Sequence, residues 1–154
     1  MIRIKKSQRI LEVIGPTRKV IFSCPVMLGK CPSGAKTQEG DMRTPEGTYR
    51  ITHKNFKSKY NIALGISYPS RKDAYLARRE KRIGQLTAMR ILLSDFLCIR
   101  PPWNTPLGGF IMIHGEHPEK LSGDWTAGCI AVKNEDIEKI AEMVKRGQKV
   151  EILP

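Results

Sequence analysis

Phe110-Ile111-Met112-Ile113-His114-Gly115, followed by Trp125-Thr126-Ala127-Gly128-Cys129-Ile130-Ala131-Val132, is the stretch on which the reading of this chain turns. Phe110 to Ile113 is a buried strand by composition, and it runs directly into a histidine. Ile130 to Val132 is a second short strand with a cysteine at its head. A glycine before the cysteine permits a tight turn that exposes Sγ and aims consecutive backbone N–H groups at one point. A histidine and a cysteine on adjacent β-elements can form a thiolate–imidazolium pair. The imidazole takes the thiol proton, and its positive charge lowers the cysteine pKa from about 8.5. On residue types alone a buried, inert thiol and a core histidine satisfied by hydrogen bonds stand beside that reading.

Working outward, Asn134 reads as the N-cap of a helix with Glu135 and Asp136 in its positive first turn. Ile137, Ile140, Ala141 and Val144 fall at helical spacing, Lys145-Arg146 in the last turn, and Gly147 as the stop before a strand over 149–153. Upstream, Arg9 to Ile14 and Lys19 to Phe22 are β-branched runs joined by Gly15-Pro16-Thr17, a hairpin signal. Val26 to Leu28 leads into a Gly-, Pro-, Ser- and Lys-rich loop over 29–41. Thr48–Thr52 and Ile62–Ser67 read as strands, and Tyr68-Pro69-Ser70 breaks the pattern. From Asp73 to about Ser94 the texture is helical, with Gly84 dividing two pieces. Pro101-Pro102-Trp103 ends that insertion. No repeat or linker divides residues 1–154, so the chain reads as a single α+β domain, mostly β.

The chain has 154 residues, 40% hydrophobic and 27% charged, which suits one core and excludes a disordered tail, a collagen-like repeat or a coiled coil. No apolar run is long enough to cross a membrane. Met1 to Arg9 is basic and carries no readable signal peptide, so the expectation is an intracellular protein or a trimmed mature domain. The formal net charge is +12, split as +9 over residues 1–60, +5 over 61–110 and −2 over 111–154. Such a balance implies a polyanionic neighbour: nucleic acid, a membrane surface or an anionic polymer. No aromatic–basic RNA-binding run, zinc-finger spacing or basic zipper is present, so nucleic-acid binding is not the leading expectation. It stays as the alternative of a different class, a basic nucleic-acid or polyanion-binding module. The cysteines at 24, 31, 98 and 129 contain no C-x-x-C pair, and no metal site is expected.

Four blocks together resemble the L,D-transpeptidase (YkuD-type) family over nearly the whole chain. Gly40-Asp41-Met42-Arg43-Thr44-Pro45-Glu46-Gly47-Thr48-Tyr49 is similar to the family's G-D-x-x-T-P-x-G-x-[YF] run. Pro101–Gly109 resembles the approach loop of one branch, Ile113-His114-Gly115 the histidine block, and Trp125–Val132 the nucleophile block. The resemblance implies a mixed β-sandwich with one C-terminal helix, here with a helical insertion near 73–94. It implies Cys129 as nucleophile, His114 as general base and the Gly115 carbonyl as the group that orients the imidazole. N–H groups around Gly128 and Cys129 would form the oxyanion hole, with Thr126, Trp125 and Ala127 lining the substrate site. The implied reaction attacks a peptidoglycan tetrapeptide stem, releases D-alanine and passes the acyl group to an amine, without a cofactor. Carbapenem-type inhibitors and an anionic wall polymer are implied as ligands, and the cell envelope as the location.

Two positions depart from the pattern. Many members carry a histidine or arginine where Ala127 stands, and an arginine where Ala131 stands. The missing cation calls for a replacement to read a substrate carboxylate. Arg43 is the first choice because it lies in the Gly40–Tyr49 block, ahead of Lys120 and Lys133. The T-A-G-C-I-A-V variant also leaves the acceptor open, since water in place of an amine makes an L,D-carboxypeptidase or a cross-link hydrolase.

Overall fold

A computed structural model describes residues 1–154. The strands are β1 (Ile2–Lys5), β2 (Ile10–Ile14), β3 (Val20–Pro25), β4 (Gly47–Ser58), β5 (Asn61–Ile66), β6 (Met112–His114), β7 (Ile130–Ala131) and β8 (Lys149–Leu153). The helices are α1 (Arg71–Arg79), α2 (Gln85–Phe96) and α3 (Asn134–Met143). The strands form one curled sheet in the order β3-β2-β1-β8-β4-β5-β6-β7. The first residues of β4 pair with β8 and the remainder with β5, so this long strand joins the two halves. The fold is therefore mixed α+β and mostly β, as read from the sequence, with the expected sandwich built by one sheet curling over itself. Its main core gathers 23 buried residues from both halves and from α3.

The basic N-terminus is strand β1, where a lead-in was expected. Ile2 and Ile4 point into the core while Arg3 and Lys5 alternate outward. Arg3 Nε donates to Glu151 on β8 at 2.9 Å, and Lys5 Nζ to Glu12 on β2 at 2.7 Å. The sheet's own carboxylates thus neutralise what reads as a charged tail. The Gly15-Pro16-Thr17 hairpin forms as expected, closed by a hydrogen bond from the Gly15 N–H to the Lys19 carbonyl at 2.9 Å.

The C-terminal helix also forms, but Lys133 is its N-cap and Asn134 its first residue. The Asn134 carboxamide oxygen is engaged elsewhere, accepting the Glu116 N–H at 3.0 Å just after the histidine block. The helix ends at Met143, so Lys145 and Arg146 lie beyond its last turn. The helical insertion is the hairpin α1–α2, starting at Arg71 because Ser70 and Asp73 form a reciprocal capping box. A separate small cluster of Ala74, Ala77, Ile83, Ala88, Ile91 and Leu107 holds the hairpin together. No helix is long and apolar enough to cross a membrane.

Lys6, at the end of β1, ties the sheet to the loop that approaches the nucleophile. Its buried ammonium donates to the Gly34 and Thr44 carbonyls at 2.7 and 3.0 Å and to Glu46 Oε1 at 2.7 Å. All of its donor capacity is filled. Lys6→Met strips those partners of their donor and leaves a carboxylate without its cation. It is expected to lower the stability measured by urea denaturation by about 3 kcal/mol, whereas Lys5→Met, on the exposed side of the same strand, is expected to cost less than about 1 kcal/mol.

Candidate functional site

The parallel pairing of β6 and β7 aligns Ile113 with Ile130 and His114 with Ala131. Alternation along the strands sends Ile113 and Ile130 into the core. It brings His114 and Cys129 to the other face, diagonally across the ladder. The imidazole is buried, with Nδ1 hydrogen-bonded to the Gly115 carbonyl at 2.8 Å. A carbonyl can only accept, so Nδ1 carries the proton and Nε2 is left with its lone pair. The Tyr60 ring stacks on the imidazole at 4.4 Å and 20°, and Trp125 lies 5.6 Å away at a tilt.

This enclosure sets the charge state. Burial pulls the His114 pKa below its ordinary value, with the Gly115 carbonyl opposing and the nearby Lys59 ammonium adding to the shift. Burial likewise pushes the Cys129 thiol up to about 11, outweighing the Met112 N–H aimed at the sulfur and the positive charge of Lys36. The hydrogen bond that Sγ makes is to the Phe110 carbonyl, at 3.3 Å. Both shifts favour the uncharged thiol and imidazole over the thiolate–imidazolium pair expected from the sequence. The shared cause is burial, which deprives each charged form of hydration.

The turn that carries Cys129 is held from two sides. The Thr126 hydroxyl accepts the Gly128 N–H at 3.1 Å and donates to the Cys129 carbonyl at 2.8 Å. The Gly128 N–H is therefore already engaged, while the Ala127 and Cys129 N–H groups of this turn have no intramolecular acceptor. Gly128 has φ +131°, and a Cβ there would sit 2.6 Å from the Arg43 carbonyl oxygen. Opposite it, a Cβ on Gly29 would collide with the Met42 carbonyl, while the Gly29 N–H donates to the buried Thr44 hydroxyl at 3.1 Å. The Gly40–Tyr49 block thus packs its backbone against the turn that carries Cys129.

Arg43 touches the turn through this main chain; its exposed guanidinium lies beside Gly34 and pairs with no carboxylate. Ala127 is exposed at the tip of the turn. Trp125 and Trp103 each bury an indole N–H with no acceptor. Asp124 is a structural anchor that accepts from Arg9 Nη2 at 2.7 Å and from the Leu28 N–H at 2.8 Å.

Two participants escaped the sequence reading. Tyr60 sits in the β4–β5 turn, where nothing in Lys59-Tyr60-Asn61 signals that the ring will cover a histidine. Lys36 lies in the loop read only as rich in Gly, Pro, Ser and Lys, yet its ammonium is buried and bonded to Asp41 at 2.7 Å and to the Gln38 carbonyl at 2.9 Å. Against the upward push of its partial burial, bonds from Lys36 and from the Thr37, Gln38 and Arg43 N–H groups hold Asp41 below the usual carboxylate range.

A mostly-β domain with a carbonyl-oriented histidine facing a cysteine at the head of the next strand defines an L,D-transpeptidase-type catalytic domain. The chain belongs to the L,D-transpeptidase catalytic domain (YkuD) family, whose profile matches residues 1–152. Among solved structures it is similar to the helical cell shape determining protein Pgp2 of Campylobacter jejuni, with 25% identity and a TM-score of 0.68, over 98% of this chain and 46% of that one. Bd1075 of Bdellovibrio bacteriovorus shares the fold at 24% identity and a TM-score of 0.62, over 99% of this chain and 47% of that one. L,D-transpeptidase 1 of Mycobacterium tuberculosis shares it at 14% identity and a TM-score of 0.51, covering 99% and 60%. The chain thus spans about half the length of the first of these relatives. No curated protein sequence matches it significantly.

The Thr126 clamp yields a direct test. Thr126→Val keeps the shape but leaves the Gly128 N–H and the Cys129 carbonyl unpaired in a buried turn, and should lower stability by roughly 2 kcal/mol. Thr126→Ser should restore most of it. Thermal unfolding of the two variants beside the parent measures the difference.

Proposed function

We propose that this domain is a cysteine acyltransferase acting on peptidoglycan stem peptides. The observation that carries the proposal is the Nδ1–Gly115 bond, which leaves the His114 Nε2 lone pair free on a strand paired with the one that Cys129 heads. As Sγ attacks the carbonyl of the diaminopimelate residue in a tetrapeptide stem, His114 Nε2 takes the thiol proton. An S–C bond forms and the carbonyl becomes a tetrahedral oxyanion, which the Cys129 N–H faces as donor. On collapse the C–N bond to D-alanine breaks, and His114 returns the proton to the leaving amine. A thioester remains. An incoming amine attacks it, gives its proton through His114, and leaves a new cross-link and a free thiol.

The neutral resting pair supports this sequence. The imidazole acts as a general base during attack, and the carbonyl does for its orientation what a carboxylate does in a serine triad. The unpartnered guanidinium of Arg43 is the candidate for a substrate carboxylate, answering the absence of a cation at Ala131. Lys36 is committed to Asp41. The orphaned Trp125 indole N–H is a donor that a bound stem peptide can satisfy. A carbapenem is read as a strained mimic of the acyl donor and would open onto Cys129. The net charge suits an anionic wall polymer, and the proposed place of action is the cell envelope.

Incubation with a purified tetrapeptide-stem muropeptide, followed by mass spectrometry, tests the reading. Dimer formation with loss of D-alanine is expected of the parent and not of Cys129→Ala. Loss of D-alanine without dimers makes water the acceptor, and no change in the muropeptide contradicts the proposal. The kcat/KM profile should rise with pH through a midpoint below 6.5, because the lowered pKa keeps the base neutral there. Tyr60→Ala, which opens the imidazole to water, should move that midpoint upward.

A further inference from the structure

Helix α2 is built inside out. Its buried positions are Ala88, Ile91 and Ser94, mostly small. On the opposite side Leu86, Met89, Leu93 and Phe96 recur at three- and four-residue spacing, exposed by 71, 57, 58 and 81%. Leu97 and Ile99 extend the stripe past the helix end, exposed by 50 and 41%. A surface helix normally turns its large apolar residues to the core and its polar ones to water. A contiguous apolar surface of this kind marks an interaction site.

The charges of the same helical hairpin point to the partner. Every acid of the hairpin is engaged. Asp73 caps α1, Glu80 pairs with Arg82 at 2.7 Å, and Asp95 pairs with Arg71 at 3.3 Å. Lys72, Arg78, Arg79, Lys81 and Arg90 pair with no carboxylate. Between the helices an open groove of about 440 Å³ has the Tyr75 ring and Leu92 on its walls and Arg78 among its lining residues. Exposed apolar side chains and uncompensated cations on one helical hairpin are the two components of interfacial binding to anionic lipid. A second copy fits less well. It would bring two arginine-rich rims together, and a stripe about 18 Å long offers little toward the roughly 800 Å² per partner that stable dimers bury.

We propose that the outward face of α2, with the cations of α1, docks the domain on an anionic phospholipid bilayer, Leu93 and Phe96 entering the acyl boundary and the Lys and Arg side chains meeting the headgroups. The inference is independent of the chemistry assigned to Cys129. It would hold the domain at the membrane face.

Co-sedimentation of the chain with vesicles of phosphatidylcholine containing phosphatidylglycerol, against pure phosphatidylcholine, tests it. The chain should bind the anionic vesicles, and Leu93→Ser/Phe96→Ser should weaken that binding by at least about tenfold. Both positions are exposed, so the thermal unfolding of the double variant should match the parent. Arg78→Gln/Arg79→Gln should weaken binding as well. Failure of the parent to bind anionic vesicles overturns the proposal. So does binding that survives the double variant but vanishes with salt, which would assign it to the general basic surface. A dimer in sedimentation equilibrium that Leu93→Ser/Phe96→Ser dissociates, without vesicle binding, overturns it in favour of self-association.

Discussion

The packing of the Met42–Arg43 backbone onto Gly29 and Gly128 is the constraint from which the site follows. At this junction the chain leaving β3, the loop entering β4 and the turn entering β7 meet too closely for a side chain on either glycine. Buried hydroxyls serve as the local hydrogen-bond partners, Thr44 toward Gly29 and Thr126 within the nucleophile turn. Lys6 fastens the same loop to the sheet from below. The position of Sγ is thus fixed by backbone geometry and buried hydroxyls, the kind of close hold that the proposed chemistry would need.

Burial then decides how the site is charged. A cysteine at a strand head beside a histidine suggests an ion pair held ready, but the enclosure by Tyr60 and Trp125 favours two uncharged groups. A thiol near pKa 11 is a poor nucleophile toward passing electrophiles at neutral pH. In the proposed reaction it would act only once a carbonyl is positioned to draw the electrons and the imidazole can take the proton. The exposed thiol is Cys31, and Cys24 is buried and pushed up to about 12.

Local signals carried much of the fold. The hairpin at Gly15-Pro16-Thr17, the final strand and the two helical pieces around Gly84 were all legible, since turn residues and periodicity act over a few positions. Strand β1 was not, because Arg3 and Lys5 find their carboxylates on β2 and β8, one of them at the far end of the chain. The capping of α3 was displaced for a similar reason, the Asn134 side chain being drawn to Glu116. Within the site, the residues contributed by the two strand blocks were legible as motifs. Tyr60, Lys36 and the engagement of the Gly128 N–H were not, because each depends on contacts between segments far apart in sequence or on the detailed geometry of one turn. The outward face of α2 was read as helical texture only, since a run rich in leucine does not say which side faces water.

The charge state of His114 is the most direct test of this account. Nitrogen-15 chemical shifts of the imidazole, followed across pH in the free protein, report both its tautomer and its protonation. A neutral ring protonated on Nδ1 at pH 7, taking up a second proton only with a midpoint below 6.5, is the predicted result. A doubly protonated ring at pH 7, reverting to neutral when Cys129 is replaced by alanine, would show a preformed ion pair and contradict it.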